Sequence, residues 1–409
     1  MVITSSIAWL LIFFIAIIVL CYKVVELRIA TIILGIGLLI CTIFGNAAGV
    51  ILVIFWVFFV LLLALNIPEI RRNYISTQVL KFYKSVLPKI SQTEQEAIDA
   101  GSVWWDGEIF SGNPDWDILR KNPKPKFSKE EQAFLDGPVN EICEMTNEWK
   151  ASHIDRDLPQ EVWDFVKAKG FFGMIIPKKY GGLEFSPLAV ATVMSKVISR
   201  SGHLNSIIGV PNSLGPAELL LHYGTPEQRN DLLPKLASGE EIPCFALTGP
   251  HAGSDAAAMP DTGIICKGKF EGKEIIGMKL NFSKRYITLA PVATLVGLAF
   301  KLYDPNHLLG EKEDYGITCA LIPSTTKDLE IGRRHLPPGI PFMNGTIIGK
   351  DIFVPLDYII GGTEQAGKGW RMLVECLSAG RAISLPSGAM GGAKTGAWVT
   401  GAYTRVREQ

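Results

Sequence analysis

Residues Phe245 to Asp255 read F-A-L-T-G-P-H-A-G-S-D, a stretch suited to holding a flat, phosphate-bearing cofactor. A β-prone run ends at Thr248, so a strand end presents backbone N–H and C=O groups and a hydroxyl to the edge of a heterocycle. The small residues from Gly249 to Ala258 let the backbone come close to a pyrophosphate, and Ser254 can donate to a phosphate or to the nucleotide arm of a bound thioester. On composition alone, a plain glycine-rich turn fits the stretch equally well. Further along, Tyr286-Ile287-Thr288 offers a ring to stack on a ring system and a hydroxyl to reach a ring nitrogen. Taken alone, it reads as an ordinary strand packed in a core. The G-x-G-x-x-G signature after a strand is missing, which argues against a Rossmann dinucleotide site. The six histidines lack metal-ligand spacing, and the seven cysteines include no C-x-x-C. No metal is expected, and the thiols read as unpaired and reduced.

These residues need elements to position them. The chain has 409 residues, with 40 Lys and Arg against 40 Asp and Glu. No global field therefore draws it to nucleic acid. Mean hydropathy is +0.25, and the excess lies in the first 70 residues, whose only charges are Lys23, Glu26, Arg28 and Glu69. Three transmembrane spans are predicted: about Ile7 to Tyr22, Ile29 to about Phe44, and about Ala47 to Leu65, with a turn at Gly45-Asn46. Lys23 and Arg28, then Arg71 and Arg72, fall on one side of three crossings, which places the following domains in the cytoplasm. A cleaved signal peptide is the competing reading, but no positive charge precedes the first apolar run.

Residues 71–126 read as a connector of mixed charge, in which Trp104, Trp105 and Phe110 would pack on the membrane surface or, as the usual core use of such rings favours, on the protein body. Residues 127–241 carry helical spacing, opened by the capping-box signature Ser128-x-x-Glu131 and repeated at Thr225-x-x-Gln228. Residues 242–357 change to short alternating runs and predict a compact antiparallel β-barrel domain of about seven strands. Helical spacing returns over 358–409. The expected architecture is α+β: membrane helices, a helical domain, a β domain and the opening of a second helical domain.

Read together, the Thr248 to Asp255 segment and Tyr286-Ile287-Thr288 resemble the acyl-CoA dehydrogenase family. So do Tyr223-Gly-Thr-Pro-Glu-Gln228, Phe353-Val-Pro355, and Gly367-x-Gly369-Trp370 leading to Arg381. The resemblance runs from about Ser128 to the C-terminus, and the apolar N-terminus is similar to the membrane-bound bacterial fatty acyl-CoA branch. It implies FAD as cofactor. It also implies that Phe245, Leu247 and Thr248 hydrogen-bond the flavin ring and that Ser254 touches both FAD and the CoA portion. Tyr286, Ile287 and Thr288 would cover one flavin face, with the threonine at N5, and Ser378 to Arg381 would line the acyl-CoA site. The implied reaction is α,β-dehydrogenation of a fatty acyl-CoA to a trans-2-enoyl-CoA, as in fatty acid β-oxidation. An electron-transfer flavoprotein is the implied acceptor, and a homo-oligomer at the bacterial inner membrane the implied assembly. One departure is Gly249, where the family usually has Glu.

The resemblance also implies where the catalytic base sits: either well beyond residue 409 or immediately before Arg381. The latter position is Gly380, which cannot act as a base. Glu375 lies six residues before Arg381, about 1.7 helical turns away and on a different face. The base is therefore expected beyond residue 409, and the chain reads as an N-terminal portion. Two other readings stand beside the dehydrogenase: a catalytically silent membrane-anchored scaffold that binds acyl-CoA or partner subunits, and an acyl-CoA oxidase.

Overall fold

The computed structural model describes residues 2–87, 90–101, 103–213, 215–337 and 342–408. Contacts divide the chain into two compact units, residues 1–90 and 91–409.

In the first unit, the uncharged runs form the helices Val2–Tyr22, Leu27–Phe44 and Gly49–Leu65. Polar side chains tie them together where apolar contact alone gives little specificity. The Ser5 hydroxyl donates to the Gly45 carbonyl, and the Ala48 N–H donates to Ser6 Oγ (2.9 Å). Asn66 Nδ2 donates to Thr31 Oγ1 (2.9 Å). Two helices, Val2–Tyr22 and Leu27–Phe44, are long and apolar enough to cross a membrane. The third has 17 residues, about 26 Å at 1.5 Å per residue, at the lower end of the ~17–25 residues that cross a bilayer. The chain then turns through 92° into the helical stretch Pro68–Val86. The third predicted span thus ends in a sharp bend.

In the second unit, both capping boxes form. Ser128 Oγ accepts from Glu131 N (3.1 Å), and Glu131 Oε2 accepts from Ser128 N (2.7 Å), opening the helix Lys129–Asp136. The same carboxylate is buried, and its other oxygen accepts from Ser186 N (2.7 Å), just ahead of the helix Pro187–Arg200. One glutamate therefore serves two helix starts. Thr225 caps Pro226–Ser238, which ends at Gly239 with φ 74°, a left-handed conformation suited to glycine. Helical spacing from Leu214 to Tyr223 forms the helix Pro216–Tyr223, and Leu214 itself lies outside the described residues. Trp104 and Phe110 are exposed instead of packed on the body, whereas the Trp105 ring rests on Trp116 at 4.9 Å within the same segment.

The β region has seven strands: β1 Pro243–Ala246, β2 Thr262–Phe270, β3 Lys273–Thr288, β4 Leu295–Tyr303, β5 Asp314–Pro323, β6 Leu329–Ile331 and β7 Asn344–Pro355. Two expectations need correcting. Alternation divides this region into separate runs, Lys273–Leu280 and Tyr286–Leu289, but Lys273–Thr288 is one long strand, β3, bent at two register shifts against β7, and the seventh strand is the short β6. The sheet is also mixed, not antiparallel. β1 pairs in parallel with Leu295–Leu298 of β4, and β2 pairs in parallel with Lys301–Tyr303 of the same strand. The order is β1-β4-β2-β3-β7-β6, with β5 antiparallel to β4. One edge of β4 thus serves two strands in succession, giving a curled half-barrel. A continuous core joins helical residues such as Val162, Phe171, Val193 and Ile207 to sheet residues Met278, Leu280, Phe300 and Ile347. The long helix Gly369–Val406 packs on Pro187–Arg200 and Gly202–Ser213.

Candidate functional site

The two segments singled out by chemistry are adjacent. After β1 the chain leaves the sheet, and the Thr248 carbonyl accepts from the N–H of Arg285 (3.0 Å), one residue before Tyr286. Gly249 and Ala252 then exchange backbone hydrogen bonds across a tight turn at Pro250-His251. A Cβ on Gly249 would stand 3.0 Å from the Ser283 carbonyl oxygen. That close approach to β3 leaves little room for a side chain at Gly249.

Beneath the loop lies a residue absent from the sequence-based site. Lys284 is 1% exposed. Its Nζ donates to Asp261 Oδ2 (2.6 Å) and to the Leu247 carbonyl (2.9 Å), while Asp261 Oδ1 accepts from Ser283 N (2.9 Å). Burial pulls the Lys284 pKa down, opposed by the Asp261 carboxylate. The buried pair clamps the end of β1 to β3. Two residues apart, Lys284 and Tyr286 would share a face of a regular strand; the register shift that follows Lys284 separates the buried lysine from the exposed tyrosine, and sequence periodicity gives no signal of it.

The second register shift falls between Lys284 and Ile287. Within it, Tyr286 adopts φ 58°, a left-handed conformation unusual for an aromatic residue. Its ring is 58% exposed, with the Arg285 guanidinium 5.0 Å and the His335 ring 5.4 Å from its centroid. Ile287 is 2% exposed, so its side chain belongs to the core and only its backbone is available to a ligand. Thr288 is half-buried, Thr248 is half-buried and Ser254 is exposed. Among the described residues, the hydroxyls of Thr248, Ser254 and Thr288 hydrogen-bond nothing within the chain. Phe245 is half-buried, and its ring packs where a Cβ on Gly297 would stand, 2.5 Å away.

Ser378 and Arg381 lie on the long helix, and both are exposed. The Ser378 hydroxyl returns to the Val374 carbonyl of its own helix. A Cβ on Gly380 would stand 2.2 Å from the Ser213 carbonyl oxygen, so close packing of two helices excludes any side chain there. Glu375 is engaged elsewhere: Oε2 accepts from the Tyr223 hydroxyl and Oε1 from Arg371 Nε (2.8 Å). Burial raises the thiols of Cys244, Cys319 and Cys376, the last two to about 12. None of these three supplies a thiolate at neutral pH.

Comparison with known proteins agrees with this geometry. Residues 128–240 match the domain described as "Acyl-CoA dehydrogenase, N-terminal domain". The chain is 30% identical over 286 residues to a 3-(aryl)acrylate reductase of Clostridium sporogenes, covering 69% of this chain and 71% of the relative. It is also 30% identical over 291 residues to a probable acyl-CoA dehydrogenase, FadE10, of Mycobacterium tuberculosis, covering 70% of this chain and 42% of that one. Over 104 residues, a quarter of the chain, it is 62% identical to a protein named HemX from Proteus mirabilis, spanning 61% of that protein's length. Butyryl-CoA dehydrogenase from Megasphaera elsdenii shares the fold, with TM-score 0.59 and 21% identity over 70% of this chain and 72% of that one. The chain belongs to the acyl-CoA dehydrogenase family. It spans 61% and 42% of the length of two of these three relatives.

The residues present fit FAD. Three unpartnered hydroxyls flank a strand end and a bulge, the turn around Gly253 leaves open space where a Cβ would point, and an aromatic ring is held outward by its neighbours.

Proposed function

We propose that this chain binds FAD and a fatty acyl-CoA as part of an acyl-CoA dehydrogenase of β-oxidation that forms a trans-2-enoyl-CoA. The reading rests most on the hydrogen bond from Arg285 N to the Thr248 carbonyl, which joins the small-residue loop to the Tyr286 strand and sets three free hydroxyls on adjoining segments. When bound, FAD supplies a two-electron sink for the hydride leaving Cβ of the thioester. In this proposal the backbone from Phe245 to Thr248 and the Thr248 hydroxyl hold the edge of the flavin ring. Tyr286 covers one face and shields it from water, and Thr288 donates toward N5. Ser254 binds the phosphates and the CoA arm, while Ser378 and Arg381 line the acyl-CoA site. Proton abstraction is assigned to neither Gly380 nor Glu375, given the packing of the first and the partners of the second.

The proposal extends to setting and partners. The apolar helices Val2–Tyr22 and Leu27–Phe44 support membrane anchoring; a bacterial inner membrane with the catalytic part in the cytoplasm is the proposed setting, which requires Gly49–Leu65 to cross as well. An electron-transfer flavoprotein is the proposed acceptor. Exposed Leu385, Trp398 and Tyr403 on the long helix support a homo-oligomer.

An anaerobic absorbance spectrum of the detergent-purified chain, before and after a long-chain acyl-CoA, tests the reading. A flavin spectrum that bleaches supports the full dehydrogenase. A flavin spectrum perturbed without bleaching supports cofactor and substrate binding without a base, and absence of flavin favours the silent membrane scaffold.

A further inference from the structure

The segment after the 92° bend has a separate property. Thr77–Val86 forms a ten-residue helix, and its residues sort cleanly around the axis. Val79, Phe82, Tyr83 and Val86 follow i, i+3, i+4, i+7 spacing on one face, and Thr77, Lys81 and Lys84 follow i, i+4, i+7 on the opposite one. Every large apolar side chain on it is exposed, as are Tyr74, Ile75 and Leu87 beside it. Between Pro68 and Ile90 the sequence holds five cations (Arg71, Arg72, Lys81, Lys84 and Lys89) against one acid, Glu69. Arg71 donates to the Leu65 carbonyl (3.2 Å) at the end of the preceding apolar helix. Among the described residues, Arg72, Lys81 and Lys84 pair with no carboxylate.

We propose that Thr77–Val86 lies in the plane of the membrane surface as an anionic-lipid-binding helix. Its apolar face enters the headgroup–acyl boundary, while Arg72, Lys81 and Lys84 hold anionic headgroups. Three observations converge on this occupant. An apolar helix of 17 residues, at the lower end of what spans a bilayer, brings the chain to the interface, and a near right-angle bend lays the next helix across that helix's axis. The uncompensated positive charge complements anionic lipid, and an exposed apolar face of this kind is stable where acyl chains meet headgroups. The inference rests on the membrane reading of the first two helices.

Hydrogen exchange of backbone amides 77–86, read by mass spectrometry on the full chain in vesicles, tests it. The comparison is between phosphatidylcholine alone and phosphatidylcholine with about one third phosphatidylglycerol, at low salt. Exchange is expected to be about tenfold slower or more in the anionic vesicles. The protection is lost in the Arg72→Gln/Lys81→Gln/Lys84→Gln variant and reduced by raised salt. Equal exchange in both lipids, or protection that survives in the triple variant, overturns anionic-lipid binding. A chain that floats with the vesicles while these amides exchange freely overturns this inference alone. A chain that fails to float overturns the membrane reading as well.

Discussion

At the residue scale, the candidate site depends on a lysine buried beneath the loop. Lys284 and Asp261 are both buried, and each has its charge met only by the other and by neighbouring backbone groups. Replacing Lys284 with Met strands a buried carboxylate and frees the Leu247 carbonyl. The expected cost is about 3–5 kcal/mol of unfolding free energy by chemical denaturation. Adding Asp261→Leu should recover much of it, and equal stability for the single and double variants would disprove the pairing argument. Thr288→Val removes a hydroxyl with no internal partner, so stability should hold within about 0.5 kcal/mol. Flavin affinity or the rate of flavin reduction, measured in the holoprotein, should fall; unchanged binding and reduction would sink the proposed contact with N5.

At the element scale, packing decides two positions. The long helix Gly369–Val406 crosses Gly202–Ser213 so closely that Gly380 has the Ser213 carbonyl where a Cβ would be. Gly380→Ala should therefore destabilise by about 1–3 kcal/mol, read as a lowered Tm, despite the better helix propensity of alanine. The second position is His203, fully buried on the helix Gly202–Ser213, with neither ring nitrogen hydrogen-bonded. Burial, then the nearby Arg334 guanidinium, lowers its pKa from 6.5 to about 4. At neutral pH it is uncharged, so its 3.9 Å approach to Asp157 Oδ1 is not an ion pair. Because the folded-state value is below the unfolded one, the unfolded chain binds more protons between these two values. Stability is therefore complete above about pH 6.5 and falls as pH drops toward 4, by on the order of 3 kcal/mol. His203→Gln should flatten that part of the stability–pH curve, and a variant with the wild-type slope would assign the acid sensitivity to other groups.

At the scale of the whole molecule, the two contact units differ in solvent preference: residues 1–90 are dominated by exposed apolar side chains and residues 91–409 have a conventional core. Deleting residues 1–90 should move the protein from the membrane to the soluble fraction on cell fractionation. Persistent sedimentation with membranes would show that residues 91–409 hold their own anchor.

Local chemistry was legible in the chain. The two capping boxes, the apolar runs, the turn at Gly45, and the residues of the loop and strand could all be read from neighbours in sequence, because hydrogen bonds three residues apart and side-chain periodicity are short-range effects. Resemblance grouped Thr248 with Tyr286, and the Arg285–Thr248 hydrogen bond brings their segments side by side. Tertiary structure alone decided the rest. β1 and β2 run parallel to β4 because one strand edge is long enough to serve both in turn, and residue alternation carries no sign of strand direction. Two predicted strands became β3 because a bulge lets a strand bend without ending, and the same bulge turns Tyr286 outward. Lys284 reads as a surface lysine until Asp261, 23 residues earlier, is folded beneath it. Gly380 reads as a missing side chain until the Ser213 carbonyl is seen in the space that side chain would need. Sequence determined what each segment could do with its own neighbours, and the fold decided which distant atoms those segments met.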